Sequence, residues 1–146
     1  MGERLVSKSP KQTFSGGKDF AGSLIAGDVV ALSGPMGSGK TIFSQGIASG
    51  LGITDVVNSP TFKLVGEYDS YPPLYHFDFY RIKSTADLAA LGLDHYFGGE
   101  GICVIEWSDL FPDVIPWWAI RVFFDRIGKG EREISIERGE SETVGN

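Results

Sequence analysis

The stretch Val29 to Thr41 passes from apolar and β-branched residues into glycines and ends on a cation and a hydroxyl. Gly34, Gly39, Lys40 and Thr41 occupy the fixed positions of the pattern G-x-x-x-x-G-K-[ST]. Glycine reaches backbone angles closed to other residues, so consecutive N–H groups here can turn inward and form a nest for an anion. Lys40 would add a point charge on β- and γ-phosphates and Thr41 a hydroxyl toward Mg2+, while a helix starting here aims its positive end at the same oxygens. Gly34, Gly37, Ser38, Gly39, Lys40, Thr41 and Ile42 are therefore expected to hold a nucleotide with Mg2+, and Lys40 to act in catalysis.

Such a loop needs a second carboxylate on the metal side. Ile102-Cys103-Val104-Ile105 is wholly apolar and ends on Glu106, as expected of a strand buried on both faces of a parallel sheet. The carboxyl end of that strand is where open α/β sheets bind ligands, so Glu106 is the expected metal-side acid beside Thr41. Leu74 to Arg81 alternates instead, with His76, Asp78 and Tyr80 on one face and Tyr75, Phe77 and Phe79 on the face sent to the core. Asp78 suits orientation of an attacking water or of a metal-bound water. For either acid the alternative is a solvated strand end. His76 could hydrogen-bond near the phosphates or be a satisfied structural residue, and Trp107 could wall the site or pack in the core. Arg132 shares the parity of Ile134 and Ile136 and so needs a partner, for which a phosphate and a carboxylate serve equally well. Arg81 has the opposite parity to Asp78 and is expected to point away if the strand continues that far.

These residues require particular elements to carry them. Val29 to Ser33 reads as a strand and Lys40 to Leu51 as a helix stopped by Gly52, which makes one β-loop-α unit. Residues 1–12 are polar apart from Leu5-Val6, a short edge strand at most, and Thr13 to Ile25 reads weakly as a helix because Gly16-Gly17 opposes it. Lys63 to Tyr68 and Leu74 to Arg81 are strands whose short connection requires antiparallel pairing. Ser84 is placed to cap a short helix, with Asp87 three residues on. Trp118 to Phe124 and Arg132 to Glu137 alternate around Gly128-Lys129-Gly130 and read as a closing hairpin.

Composition narrows the class. With 146 residues, 42% of them hydrophobic, the chain can bury one core, expected over 1–138, and the polar stretch 139–146 is expected to be disordered. The net charge of −6 includes no basic block, which argues against a broad nucleic-acid-binding face. Cys103 is the only cysteine, so no internal disulfide can form, and a reducing compartment is expected. With neither an apolar signal core nor a membrane-length apolar run, the expected location is the cytoplasm.

Thr13, the loop Gly34 to Thr41, Gly46-Ile47-Ala48 through Gly50-Leu51-Gly52, Ser59-Pro60-Thr61-Phe62, His76-x-Asp78-x-Tyr80-Arg81 and Ile105-Glu106-Trp107 together resemble the TsaE (YjeE) family of bacterial P-loop ATPases over about residues 5 to 137. The resemblance implies a P-loop NTPase-like, three-layer α/β fold whose mainly parallel central sheet is extended by antiparallel strands. It also implies a slow ATPase required for threonylcarbamoyladenosine modification of tRNA. TsaD-like and TsaB-like proteins would be its partners, and tRNA would be met only through their complex. On the family pattern Thr41 and Glu106 match the metal site and Thr13 lies near the nucleotide. Ser59, Pro60, Thr61 and Phe62 form a switch-like loop, with His76 and Trp107 on the same switch and partner side. Pro35-Met36 and Ser38 depart from the family's usual acidic-Leu and Ala, which bears on loop rigidity rather than on the nest. A small-molecule kinase would share the loop but need an acceptor pocket and usually a basic lid, and no Arg-rich stretch is present. A non-hydrolysing interaction module is the third reading.

Overall fold

The computed structural model describes residues 2–54 and 65–138. The proposed switch residues Ser59 to Phe62, the start of the strand expected from Lys63 and the polar tail lie outside that description. Val29, Val30, Ala31 and Leu32 form β2 (Val29–Ser33), buried along its length as its β-branched composition requires. The glycine-rich loop follows, and α2 (Lys40–Gly50) leaves it. Gly52, at φ +86°, ends that helix region as expected.

Ahead of this unit lie β1 (Gly2–Ser7) and α1 (Pro10–Ala21). The helix begins before the expected Thr13 because Ser9 and Pro10 form a start signal of their own. The Ser9 hydroxyl accepts from the Gln12 N–H at 3.1 Å, and Pro10, which has no N–H to leave unsatisfied, takes the first turn. Gly16-Gly17, which opposes a helix by propensity, instead permits its packing. A Cβ on Gly17 would run into the carbonyl oxygen of Phe43, and one on Gly46 into that of Phe14, so the two helix backbones touch directly.

The remaining strands are β3 (Val65–Tyr68), β4 (Leu74–Asp78), β5 (Ile102–Glu106), β6 (Ile120–Gly128) and β7 (Glu131–Glu137), with the short helix α3 (Thr85–Ala90) between β4 and β5. Ser84 caps α3, its hydroxyl accepting from the Asp87 N–H at 3.1 Å. The sheet runs β1-β7-β6-β2-β5-β4-β3. Its centre, β6-β2-β5-β4, is parallel, and the added pairs β1/β7, β6/β7 and β3/β4 are antiparallel. β5 therefore lies between the loop-bearing strand and β4, buried on both faces.

Two apolar clusters sandwich the sheet, giving the expected three layers. On one face α1 and α2 pack Phe20, Phe43 and Ile47 against Val30, Val104, Val122 and Ile134. On the other, Leu88 of α3 and Ile115 cover Ala31, Phe77, Cys103 and Ile105.

Several boundaries differ from the sequence reading. α1 ends at Ala21 rather than Ile25, and β7 begins at Glu131 rather than Arg132. The closing hairpin begins at Ile120 rather than Trp118 and runs to Gly128, so it projects farther beyond the sheet. β4 stops at Asp78, where the carboxylate accepts from the Tyr80 N–H at 3.1 Å and starts a 3-10 turn, Phe79–Arg81. That turn ends the alternation, so the continued strand on which the expected orientation of Arg81 depends does not form. Arg81 Nε lies 3.7 Å from Asp78 Oδ2.

Candidate functional site

The carboxyl ends of β2 and β5 open beneath a cavity of about 530 Å³. Its lining includes Thr13 from α1, Gly37, Gly39, Lys40, Thr41 and Ile42 from the loop and α2, Glu106 at the end of β5 with Trp107 after it, and Arg132 from β7. Four segments distant in sequence thus meet at one concavity, and the parallel register of β2 and β5 brings their carboxyl ends side by side there.

The loop is shaped by its glycines. Gly34 has φ +144°, and a Cβ there would come within 2.5 Å of the Phe124 carbonyl oxygen, so this position both turns the chain and lies against β6. The first N–H groups of α2 have no acceptor within their own helix and border the cavity, together with the positive end of the helix dipole. Lys40 is buried, its ammonium donating to the carbonyls of Gly34 at 2.6 Å and Pro35 at 2.9 Å. It also stands 3.9 Å from the centre of the Trp107 ring, a cation–π geometry. Burial lowers the Lys40 pKa from the ordinary 10.5, and the charges of Glu106, Asp109 and Asp78 oppose that shift.

Glu106, 2% exposed, joins the two sides of the site. Its Oε1 accepts from the Thr41 hydroxyl at 2.7 Å and its Oε2 lies 2.6 Å from His76 Nε2. A carboxylate oxygen only accepts, so Nε2 donates this hydrogen bond. Among the described residues the buried Nδ1 has no hydrogen-bond partner. His76 thus holds the carboxylate from the side opposite Thr41.

Trp107 takes a left-handed backbone, φ 59°, uncommon for a bulky side chain. The strained turn sets its ring beneath Lys40 and 5.0 Å from the ring of Tyr80, and Ser108 fastens the next residue by donating to the Leu32 carbonyl at 3.0 Å.

Among the described residues, Arg132 Nη2 donates to the Gly37 carbonyl at 3.0 Å and Arg132 has no carboxylate partner. Thr13 is buried, 2.6 Å from the Ser7 hydroxyl, with its methyl group 3.2 Å from the position a Cβ on Gly39 would take. Asp78 is the Cα partner of Glu106 but does not line the cavity; its oxygens face the Tyr80 N–H and Arg81. Lys8, Ser9, Pro10, Met36 and Gly130 also line the cavity and were missed by the sequence reading. The Ser-Pro helix start carried a usable signal for the first group; the reach of the hairpin turn did not.

Thr41 and Glu106 present hard oxygen donors side by side, the kind of set Mg2+ uses when phosphates and water complete its shell. Among the described residues no group of three or more His, Cys, Asp or Glu forms a self-sufficient metal cage. The donor set therefore fits a cation that arrives with a phosphate.

Sheet order, crossing helices and a glycine-lysine-threonine loop at the carboxyl end of a central parallel strand define a protein with a P-loop NTPase-like three-layer α/β fold. The chain belongs to the TsaE family: the family model described as "Threonylcarbamoyl adenosine biosynthesis protein TsaE" matches residues 7–134. Among its relatives, the tRNA threonylcarbamoyladenosine biosynthesis protein TsaE of Bacillus subtilis is 44% identical over 88% of this chain and 80% of its own length. The protein of that name from Treponema pallidum is 37% identical over 91% of this chain and 98% of its own. The crystal structure of Bacillus subtilis YdiB superposes with a TM-score of 0.83 at 36% identity, covering 97% of this chain and 88% of that one. No helix among the described residues is long and apolar enough to cross a membrane.

Proposed function

We propose that the protein binds ATP with Mg2+ in the cavity at the ends of β2 and β5 and hydrolyses it slowly in support of tRNA threonylcarbamoyladenosine synthesis, acting in the cytoplasm with TsaD-like and TsaB-like partners. The observation that carries the reading is the 2.7 Å contact between Thr41 and Glu106, which brings the loop hydroxyl and the strand-end carboxylate together beside Lys40. Gly37, Ser38, Gly39 and Ile42 would contribute the nest and helix entrance, and Thr13 and Arg132 its walls. Thr41 and Glu106 would hold Mg2+, which when bound supplies charge neutralisation on the β- and γ-phosphates. Lys40 would leave the Gly34 and Pro35 carbonyls for phosphate oxygens, a charge-assisted exchange of acceptors. His76 would keep Glu106 oriented throughout.

For water activation, Asp78 and its Arg81 partner stand at the neighbouring strand end and would engage only after rearrangement of the 3-10 turn. A partner that moved this turn, or the segment Ser59 to Phe62, would complete the catalytic surface and account for slow turnover by the isolated chain.

The test is calorimetry of MgATP binding beside phosphate release, with and without TsaD-like and TsaB-like proteins. Lys40→Ala should weaken binding about ten- to hundredfold, since a buried charge-assisted contact is worth about 1.5 to 3 kcal/mol. Unchanged affinity would overturn the site. Phosphate transfer to an added small molecule in place of release to water would make the protein a kinase.

A further inference from the structure

Two arginines of the closing hairpin reach the tip of the glycine-rich loop from outside. Arg126 Nη2 donates to the Met36 carbonyl and Arg132 Nη2 donates to the Gly37 carbonyl at 3.0 Å. The residues share the parity of Phe124 and Ile134, which are buried on the helix-covered face, and are Cα partners across the hairpin. A register shift between Arg126 and Gly128 marks the bulge where the strands leave regular pairing. Like charges directly opposite on neighbouring strands repel, so this pair is unfavourable unless each guanidinium has an acceptor. The acceptors are successive carbonyls of one loop.

From these contacts we infer that Arg126 and Arg132 are positioning residues, which clamp the peptide planes 36–37 and 37–38 and so aim the N–H groups of Gly37 and Ser38 inward. In a planar trans peptide the C=O and the following N–H point in opposite directions. Holding the Met36 carbonyl against the hairpin turns the Gly37 N–H away from it, and Gly37 lines the cavity. Holding the Gly37 carbonyl turns the Ser38 N–H into the loop, where it donates to the Pro35 carbonyl at 3.2 Å. Gly37 is confined on the hairpin side as well: at φ +73°, a Cβ on it would lie 2.7 Å from Arg126 Nη2. A loop containing Pro35-Met36 and Ser38 is thus held by groups about ninety residues away in sequence. What the aimed Gly37 N–H receives rests on the proposed nucleotide reading; the clamp itself does not.

Hydrogen exchange separates the two. In the protein without nucleotide, Arg126→Ala and Arg132→Ala should each speed exchange of the buried Ser38 amide, which donates to the Pro35 carbonyl, tenfold or more, with the amides of Val104 and Ile105 and the thermal midpoint unchanged. Arg126→Lys and Arg132→Lys keep the charge but not the planar fork, should recover only part of the protection, and serve as the variants if an alanine change impairs folding. The alanine variants should also bind MgATP three- to tenfold more weakly. Unchanged Ser38 exchange in both alanine variants overturns the clamp, even if affinity falls, because the arginines would then act only as charges on the ligand. Faster loop exchange with no MgATP binding by the unaltered protein leaves the clamp standing and removes the nucleotide reading.

Discussion

The carboxyl ends of β4 and β5 are neighbours, with Asp78 and Glu106 as Cα partners, yet the two acids are used differently. Glu106 is divided between Thr41 and His76 and faces the cavity. Asp78 caps the turn that ends its own strand and pairs with Arg81. Position at a strand end is therefore not what distinguishes them. The chain that follows is: after Glu106 a strained Trp107 turns the backbone and lines the cavity, whereas after Asp78 a 3-10 turn folds back onto the carboxylate. A carboxylate is available to a ligand only where the local backbone leaves its oxygens unclaimed by N–H groups.

The contrast can be broken most forcefully through the histidine that serves only one of the two. His76→Ala removes a wholly buried ring and leaves one oxygen of Glu106 without a donor, so unfolding in denaturant should show a loss of about 3 kcal/mol, combining cavity and unsatisfied-acceptor costs. A loss below about 1 kcal/mol would mean the carboxylate finds another partner.

Next in size, Glu106→Gln should weaken MgATP binding about tenfold or more, about 1.4 kcal/mol, while affinity measured without Mg2+ changes little. Mg2+ titration against nucleotide affinity checks it, and equal losses with and without the metal would take the metal-side role from Glu106.

Asp78→Ala should then cost about 1 kcal/mol of stability, the usual worth of a lost cap, with MgATP affinity within twofold of the unaltered protein. Single-turnover hydrolysis by Asp78→Asn, in which the amide oxygen can still cap, sharpens the comparison further. Slow hydrolysis at normal affinity would give Asp78 the water-orienting part.

The smallest effect concerns the interior of β5 rather than its end. Burial pushes the Cys103 thiol from 9.0 up to about 12, so the unfolded chain ionises first as pH rises. Stability from this group is full below the unfolded value and falls above it, by about 0.4 kcal/mol at pH 9. Cys103→Ala should lack that part of the slope, measured as the difference between two denaturation series at pH 7 and 9.

Sequence alone determined the features that depend on near neighbours. The glycines, lysine and threonine from Gly34 to Thr41 specify their loop through backbone freedom and side-chain chemistry, and the apolar run before Glu106 specifies a doubly buried strand. Alternation revealed the core faces of β4, β6 and β7, and the Ser84 cap was legible from its spacing. Ser9-Pro10 was just as local a signal, but the glycines after it hid the helix they were helping to pack. Tertiary structure decided the rest. His76 meets Glu106 thirty residues away because the parallel register makes them diagonal neighbours. Arg126 and Arg132 reach the loop because the hairpin extends past the sheet, and Arg81 turns back because Asp78 caps a turn there. Each of these contacts depends on strand register or element length set by packing between distant segments, and residue type and periodicity within one segment carry no record of either.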